Sequence, residues 1–165
     1  MVNIKRKLAY IIWLIRLPVE EAKGVINRLK ISARMNNTIL MACQLWREQA
    51  ELPLLSPSQA VIILDEMLPL CRYALYICTS NQRVRDTLSD YVFNWVNVKP
   101  TLDGNDLRMR GIPHGPIYRD ILARLRKAWL DSEISTVEQE LELLDAFLQA
   151  RGKGKSQSVQ AVDHH

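Results

Sequence analysis

The sequence is short of the residues that most catalytic and metal centres need. It has 3 cysteines in 165 residues, and no two of them form a Cys-x-x-Cys pair. That spacing excludes the usual zinc and dithiol motifs. Cys43, Cys71 and Cys78 lie instead in apolar, helix-period surroundings. They are expected to be buried free thiols in a reducing cytoplasm. The 6 glycines include no adjacent pair, and no Asp-x-Asp occurs. No serine or cysteine stands with a histidine in a recognisable nucleophile motif. A terminal Asp-His-His is no evidence for a metal site.

Long apolar runs are also missing. The apolar stretch from Leu8 to Ile15 ends at Arg16, far short of the roughly 20 residues that span a bilayer. Lys5, Arg6 and Lys7 precede it as in a signal peptide. However, no small-x-small cleavage site follows before Glu20 and Glu21. The segment therefore reads as an amphipathic helix packed on a neighbour. No membrane partner is expected, and the protein is placed in the cytoplasm.

What remains is helix. No segment shows convincing strand alternation. Helical periodicity covers about Ile4–Leu17, Pro18–Ser32, Asn37–Ala50, Ser56–Leu68, Leu70–Cys78, Asn81–Val98, Pro116–Leu130 and Ser135–Leu148. Ser56, Pro57 and Gln59 form a capping box with proline at the first helical position, and Ser135–Glu138 reads as another box. Pro69 must kink or break its helix. The run after it is apolar almost all round, which predicts a place at the centre of the core. Val84, Leu88, Tyr91, Val92 and Trp95 share one face of the sixth segment. Glu138, Glu140 and Glu142 read as solvated. The fold class is all-α: a multihelical array with one helical domain over 1–150 and a disordered polar tail over 151–165.

The most informative stretch runs from Lys99 to Glu133. It holds three of the 6 glycines (Gly104, Gly111, Gly115) and three of the 7 prolines (Pro100, Pro113, Pro116). The chain turns tightly near 100–117 and then enters a basic helix. Between Arg108 and Lys127 stand Arg108, Arg110, Arg119, Arg124, Arg126 and Lys127 against one acid, Asp120. Between Asp131 and Asp145 there are acids and no base. The whole-chain balance is +4, with pI near 9.1, which alone says little. A glycine-proline turn opening a helix can present amides to an anion, and surrounding arginines suit nucleic-acid phosphate. Candidate contacts are Arg108, Arg110, His114, Gly115, Arg119, Arg124 and Lys127. The alternative is that the glycines merely turn the chain and pack two helices. Asp106 reads as an organiser of the turn. Trp95, Tyr118 and Trp129, at helical spacing, read as core rather than as base-stacking platforms.

Pro100, Leu102, Gly104, Asp106 and Leu107, then Gly111, Ile112, Gly115 and Pro116, then Ala128, Leu130, Asp131 and Glu133 follow one another at a distinctive spacing. This pattern resembles the C-terminal body and tail region of bacterial-type CCA-adding enzymes and poly(A) polymerases. The resemblance is specific from Pro100 to Glu133 and looser back through Ser56-Pro57-Ser58, Tyr91, Trp95 and Val98. Asn105, His114 and Ser132 depart from it, standing where relatives often carry Lys, Pro and Gly. If position 132 is left-handed, serine costs about 1 kcal/mol there. The hairpin also resembles a helix-hairpin-helix, although its glycines are spaced more widely.

The resemblance implies an all-α fold and a positional role. The chain would hold the acceptor stem and elbow of tRNA for a catalytic head that adds CCA, A or poly(A). It also implies a phosphate loop and a metal-binding Asp-x-Asp in that head, and this chain carries neither. No cofactor is therefore expected in this chain, and Mg²⁺ would serve the absent N-terminal head. The expected partners are tRNA or other structured RNA and that head. The competing reading is a non-catalytic helical scaffold that docks protein partners.

Overall fold

Prolines, caps and left-handed residues cut the helical sequence into nine α-helices among the described residues of this computed structural model. Those residues run from Ile4 to Val159, with side chains described through Ala150. They contain no strand, so the all-α class holds. The helices are α1 (Ile4–Leu14), α2 (Val19–Arg28), α3 (Ala33–Glu48), α4 (Pro57–Glu66), α5 (Pro69–Cys78), α6 (Gln82–Asp90), α7 (Gly104–Met109), α8 (Pro116–Leu130) and α9 (Val137–Val159). Pro57, Pro69 and Pro116 each open a helix, where the missing N–H costs nothing. Pro69 thus breaks the chain between α4 and α5. The tail expected over 151–165 is helical through Val159, and residues 160–165 lie outside the described residues. The chain forms two compact units, one through Asn97 and one from Val98.

In the first unit α3 is central, and α1, α2 and α5 pack on it. Ile11, Leu14, Ile15, Ile26, Ile39, Leu45, Leu64 and Leu75 are buried. Cys43 Sγ donates to the carbonyl of Leu14 (3.2 Å) and Cys71 Sγ to that of Thr38 (3.3 Å). Burial pushes both thiols up to about 11. Cys78 is only half-buried.

Two helical segments differ from their expected faces. α5 is not covered all round: Cys71, Ala74 and Leu75 face inward, whereas Tyr73, Tyr76 and Ile77 are exposed. The run is apolar all round because its outer face is also apolar. The sixth segment does not keep one face either. After α6 the chain makes a π-helical turn over Tyr91–Trp95, closed by the amide of Val96 donating to the carbonyl of Tyr91 (2.8 Å). A wider turn rotates the following side chains. Val84, Leu88 and Tyr91 stay buried, while Val92 is 51% and Phe93 79% exposed.

Several arginines of the first unit close helix ends. Arg72 Nη1 donates to the carbonyls of Leu64 and Met67 (2.7 Å to the latter), and its guanidinium lies 4.8 Å from the Tyr91 ring. The Tyr91 hydroxyl donates to Asp65 Oδ1 (2.7 Å). Arg16 Nη2 donates to the carbonyl of Cys78 (3.1 Å) and Arg85 Nη2 to that of Thr79 (2.7 Å). A cation at a helix C-terminus meets unpaired carbonyls and the negative end of the dipole.

The second unit is built on Leu107, Ile112, Tyr118, Ile121, Leu125 and Leu144, with α8 against α9. Glu140 of α9 is fully buried, against the sequence expectation of a solvated face. Its carboxylate accepts the amides of Thr101 (3.1 Å) and Leu102 (3.3 Å), and so fixes the segment that leads into α7. Arg126 Nε donates to the carbonyl of Val98 (3.0 Å), tying down the same segment. α8 ends in a Schellman motif: Glu133 N bonds Ala128 O (2.9 Å) and Ser132 N bonds Trp129 O (3.3 Å). Ser132 has φ 56°, the left-handed region.

Two stability predictions follow from this unit. Glu140→Ala strands two backbone amides and should cost about 2 kcal/mol in urea unfolding, and Glu140→Gln, which keeps one acceptor, about half as much. A loss below about 0.5 kcal/mol for the alanine variant would show that the carboxylate is not holding the segment. Ser132→Gly removes left-handed strain and should stabilise by about 0.5–1 kcal/mol, whereas Ser132→Val should destabilise.

Candidate nucleic-acid interface

The hairpin between α7 and α8 is assembled from local hydrogen bonds. Asp103 Oδ1 accepts the amides of Asn105 (2.7 Å) and Asp106 (3.1 Å), and Asp103 N donates to Asp106 Oδ2 (2.8 Å). This reciprocal capping box gives Asp106 the organising role read from the sequence, with Asp103 as its partner. These bonds hold the Asp103 carboxyl below its usual range, that from the Asp106 amide most. α7 closes on Gly111, where a second Schellman motif needs φ +75°. Its bonds run from Ile112 N to Leu107 O (3.2 Å) and from Gly111 N to Arg108 O (2.9 Å). Ile112 returns to the core beside Leu107, and the Tyr118 hydroxyl donates to the Ile112 carbonyl (2.9 Å).

Gly115 differs from Gly111. It caps α8 in extended backbone, φ 164°, which any residue adopts. A Cβ built on it meets no heavy atom within 4 Å. Neither the turn nor helix packing therefore requires glycine at 115. His114, one residue earlier, is exposed, with its ring tilted 5.1 Å from that of Tyr118. Tyr118 itself is buried, and Trp95 and Trp129 are half-buried.

The candidate cations divide into free and held. Arg108, Arg119 and Lys127 are exposed and form no ion pair with a described residue. Arg110 Nη1 reaches Asp145 Oδ1 of α9 loosely, at 3.5 Å. Arg124 is held: its two terminal nitrogens grip the Glu133 carboxylate at 2.9 and 2.6 Å. That bidentate pair raises the Arg124 pKa and lowers that of Glu133. The exposed stripe of α8 is Pro116, Arg119, Asp120, Ala123 and Lys127, with Arg124 and Asp131 half-buried.

The sequence reading also missed cations in the first unit. The turn between α2 and α3 brings Lys30 and Arg34 to a groove shared with Arg6 and Lys7 of α1. The available signal was the Lys5-Arg6-Lys7 run, read only as a possible targeting flank. Among the described residues, no group of three or more His, Cys, Asp or Glu side chains could hold a metal ion. No described helix is long and apolar enough to cross a membrane.

The chain is similar to an A-adding tRNA nucleotidyltransferase of Geobacter sulfurreducens, 38% identical over 71 residues. The match covers 42% of this chain and 8% of that protein's length. No protein-family model and no solved structure matches. Part of the chain is thus related to a tRNA nucleotidyltransferase.

The caps give the second unit an acid-sensitive limb. Asp103 and Glu133 have carboxyls held below their ordinary values in the folded state. Their contribution is fully present above the unfolded carboxylate range, near 4, and is lost as pH falls through the depressed folded values. Unfolding midpoints should be flat from pH 7 to about 5 and fall below about 4. Asp103→Asn, a good cap without a titrating charge, should make the acid limb shallower. An unchanged limb in that variant would exclude Asp103 as a contributor.

Proposed function

We propose that this chain is an RNA-binding portion of a tRNA nucleotidyltransferase or poly(A) polymerase, and that it positions the acceptor stem and elbow of tRNA. The observation that carries the reading is the α7–α8 hairpin. Arg108 near the end of α7 and Arg119 in the first turn of α8 are exposed and form no ion pair with a described residue, and Gly115, which caps α8, is required by no local geometry. A backbone without a side chain, facing open space beside cations, is where a phosphate can approach closely. The partial likeness to an A-adding tRNA nucleotidyltransferase supports tRNA as the RNA.

Within this reading Arg108, Arg119 and Lys127 meet phosphates, and His114 and the amide of Ile117 complete the contact. Arg110 joins once it leaves Asp145. Arg124 serves by stiffening the end of α8. Such contacts fix register and carry little sequence information, so recognition would come from A-form shape. Among the described residues, no cluster of carboxylates could hold a metal pair. Nucleotide addition with Mg²⁺ would need a catalytic head. The reading places the protein in the cytoplasm with tRNA.

A scaffold role is the second reading. An apolar groove in the first unit favours it, where exposed Tyr73, Tyr76, Val92 and Phe93 stand together. Salt dependence separates the two, because phosphate contacts give a steep log–log slope and an apolar interface does not.

Fluorescence anisotropy with a tRNA acceptor–TψC minihelix, at several salt concentrations and against duplex DNA, tests the proposal. Arg108→Ala with Arg119→Ala should flatten the slope by about 0.9 per lost contact. Arg124→Ala should weaken binding only as far as it destabilises the fold. Gly115→Ala should leave stability unchanged and weaken binding. Unchanged affinity in both the double variant and Gly115→Ala would remove the hairpin from the interface.

A further inference from the structure

The groove in the first unit has the composition of a site for unpaired nucleotides. It encloses about 890 Å³ between the start of α1, the α2–α3 turn and the start of α5. Arg6, Lys7, Lys30 and Arg34 line it, and no carboxylate does. None of these four forms an ion pair with a described residue. Tyr10 and Tyr73 also line it, with Tyr73 exposed and Arg6 lying 5.9 Å from the Tyr10 ring. Elsewhere in the unit, Arg16, Arg72 and Arg85 are used on carbonyls. Among the described residues, none of the four groove cations bonds a main-chain carbonyl through its side chain.

Cations alone would suit any anion. Cations over an apolar floor that includes two tyrosines suit a ligand whose negative groups alternate with flat rings. Single-stranded nucleic acid is such a ligand: phosphates track the positive wall and bases stack on aromatic side chains. We infer that this groove binds a short unpaired RNA segment, separately from the duplex grip assigned to the α7–α8 hairpin. The inference rests on the RNA reading and adds a second site, with single-stranded RNA as its ligand class. Lys30 has left-handed backbone, φ 49°, in a Schellman turn that bonds Ile31 N to Ile26 O (3.2 Å).

The test uses the full chain and two labelled probes, a six-nucleotide unpaired RNA and the acceptor minihelix. Lys30→Ala with Arg34→Ala removes two exposed charges without touching the core. This variant should weaken the single strand about tenfold and lower its salt slope by about 0.7 per charge, with minihelix affinity retained. Tyr73→Ala should also weaken the single strand about tenfold, by loss of one stacking platform. Arg108→Ala with Arg119→Ala should do the opposite. Minihelix binding together with single-strand binding that ignores both groove variants would overturn the groove and leave the RNA reading intact. Binding of neither RNA at low salt would overturn both. Groove-dependent binding of an acidic peptide or of anionic vesicles, with none of the single strand, would overturn the nucleotide assignment.

Discussion

The second unit depends on one buried carboxylate. Glu140 sits at 0% exposure and accepts the amides of Thr101 and Leu102. A carboxylate out of water is costly unless its lone pairs are met, and two backbone amides meet them here. The same bonds set where the chain enters the Asp103–Asp106 box, hence the direction of α7 and the position of the hairpin. Leu107 and Ile112 then lock that hairpin to Tyr118, Ile121 and Leu144. The cations at its tip are therefore carried by a rigid local frame, from the buried acid through the cap to the Schellman turn at Gly111. A phosphate grip needs such a frame, because flexible arginines lose entropy on each contact.

Arginine is the residue most easily misread in this chain. Arg16, Arg72, Arg85 and Arg126 each donate to main-chain carbonyls, and Arg124 is clamped by Glu133. These side chains have been taken by folding. Arg108 and Arg119, with no described ion pair, have not. Counting basic residues between 108 and 127 thus overstates the surface open to a polyanion, and only three-dimensional pairing corrects it.

Local chemistry was legible in the sequence. The Ser56–Gln59 box, the helix opened by Pro57 and the structural part of Asp106 follow from spacing and backbone preference, the left-handed backbone at Ser132 was implied by the family resemblance, and the structure shows each. Long-range pairing was not legible. Glu140 has the same local sequence character as Glu138 and Glu142, and only the return of residues 101–102 onto α9 buries it. The outer face of α5 was misread because an apolar groove and a buried helix have the same composition. The π-helical turn at Tyr91–Trp95 shifted a face that ideal periodicity would have kept together. Lys30 and Arg34 were invisible as partners of Arg6 because a groove between α1 and the α2–α3 turn has no one-dimensional signature.

The modest charge of +4 bears on how selective an RNA-binding surface could be. A uniformly basic surface would hold any polyanion, since phosphate contacts are indifferent to sequence. Here Glu138, Glu142 and Asp145 of α9 are exposed while α9 packs on α8. A nucleic-acid backbone that strays from the outward stripe of α8 toward that side meets like charge, and Asp120 interrupts the stripe itself. Repulsion next to attraction would, on the RNA reading, narrow the paths a phosphate chain can follow, and discrimination would come from rejecting wrong shapes as much as from holding the right one. On the RNA reading, the clamp of Glu133 on Arg124 belongs to the same arrangement. It keeps one strong cation off the surface and leaves the grip to Arg108 of α7 and to Arg119 in the first turn of α8, where the helix dipole also favours an anion.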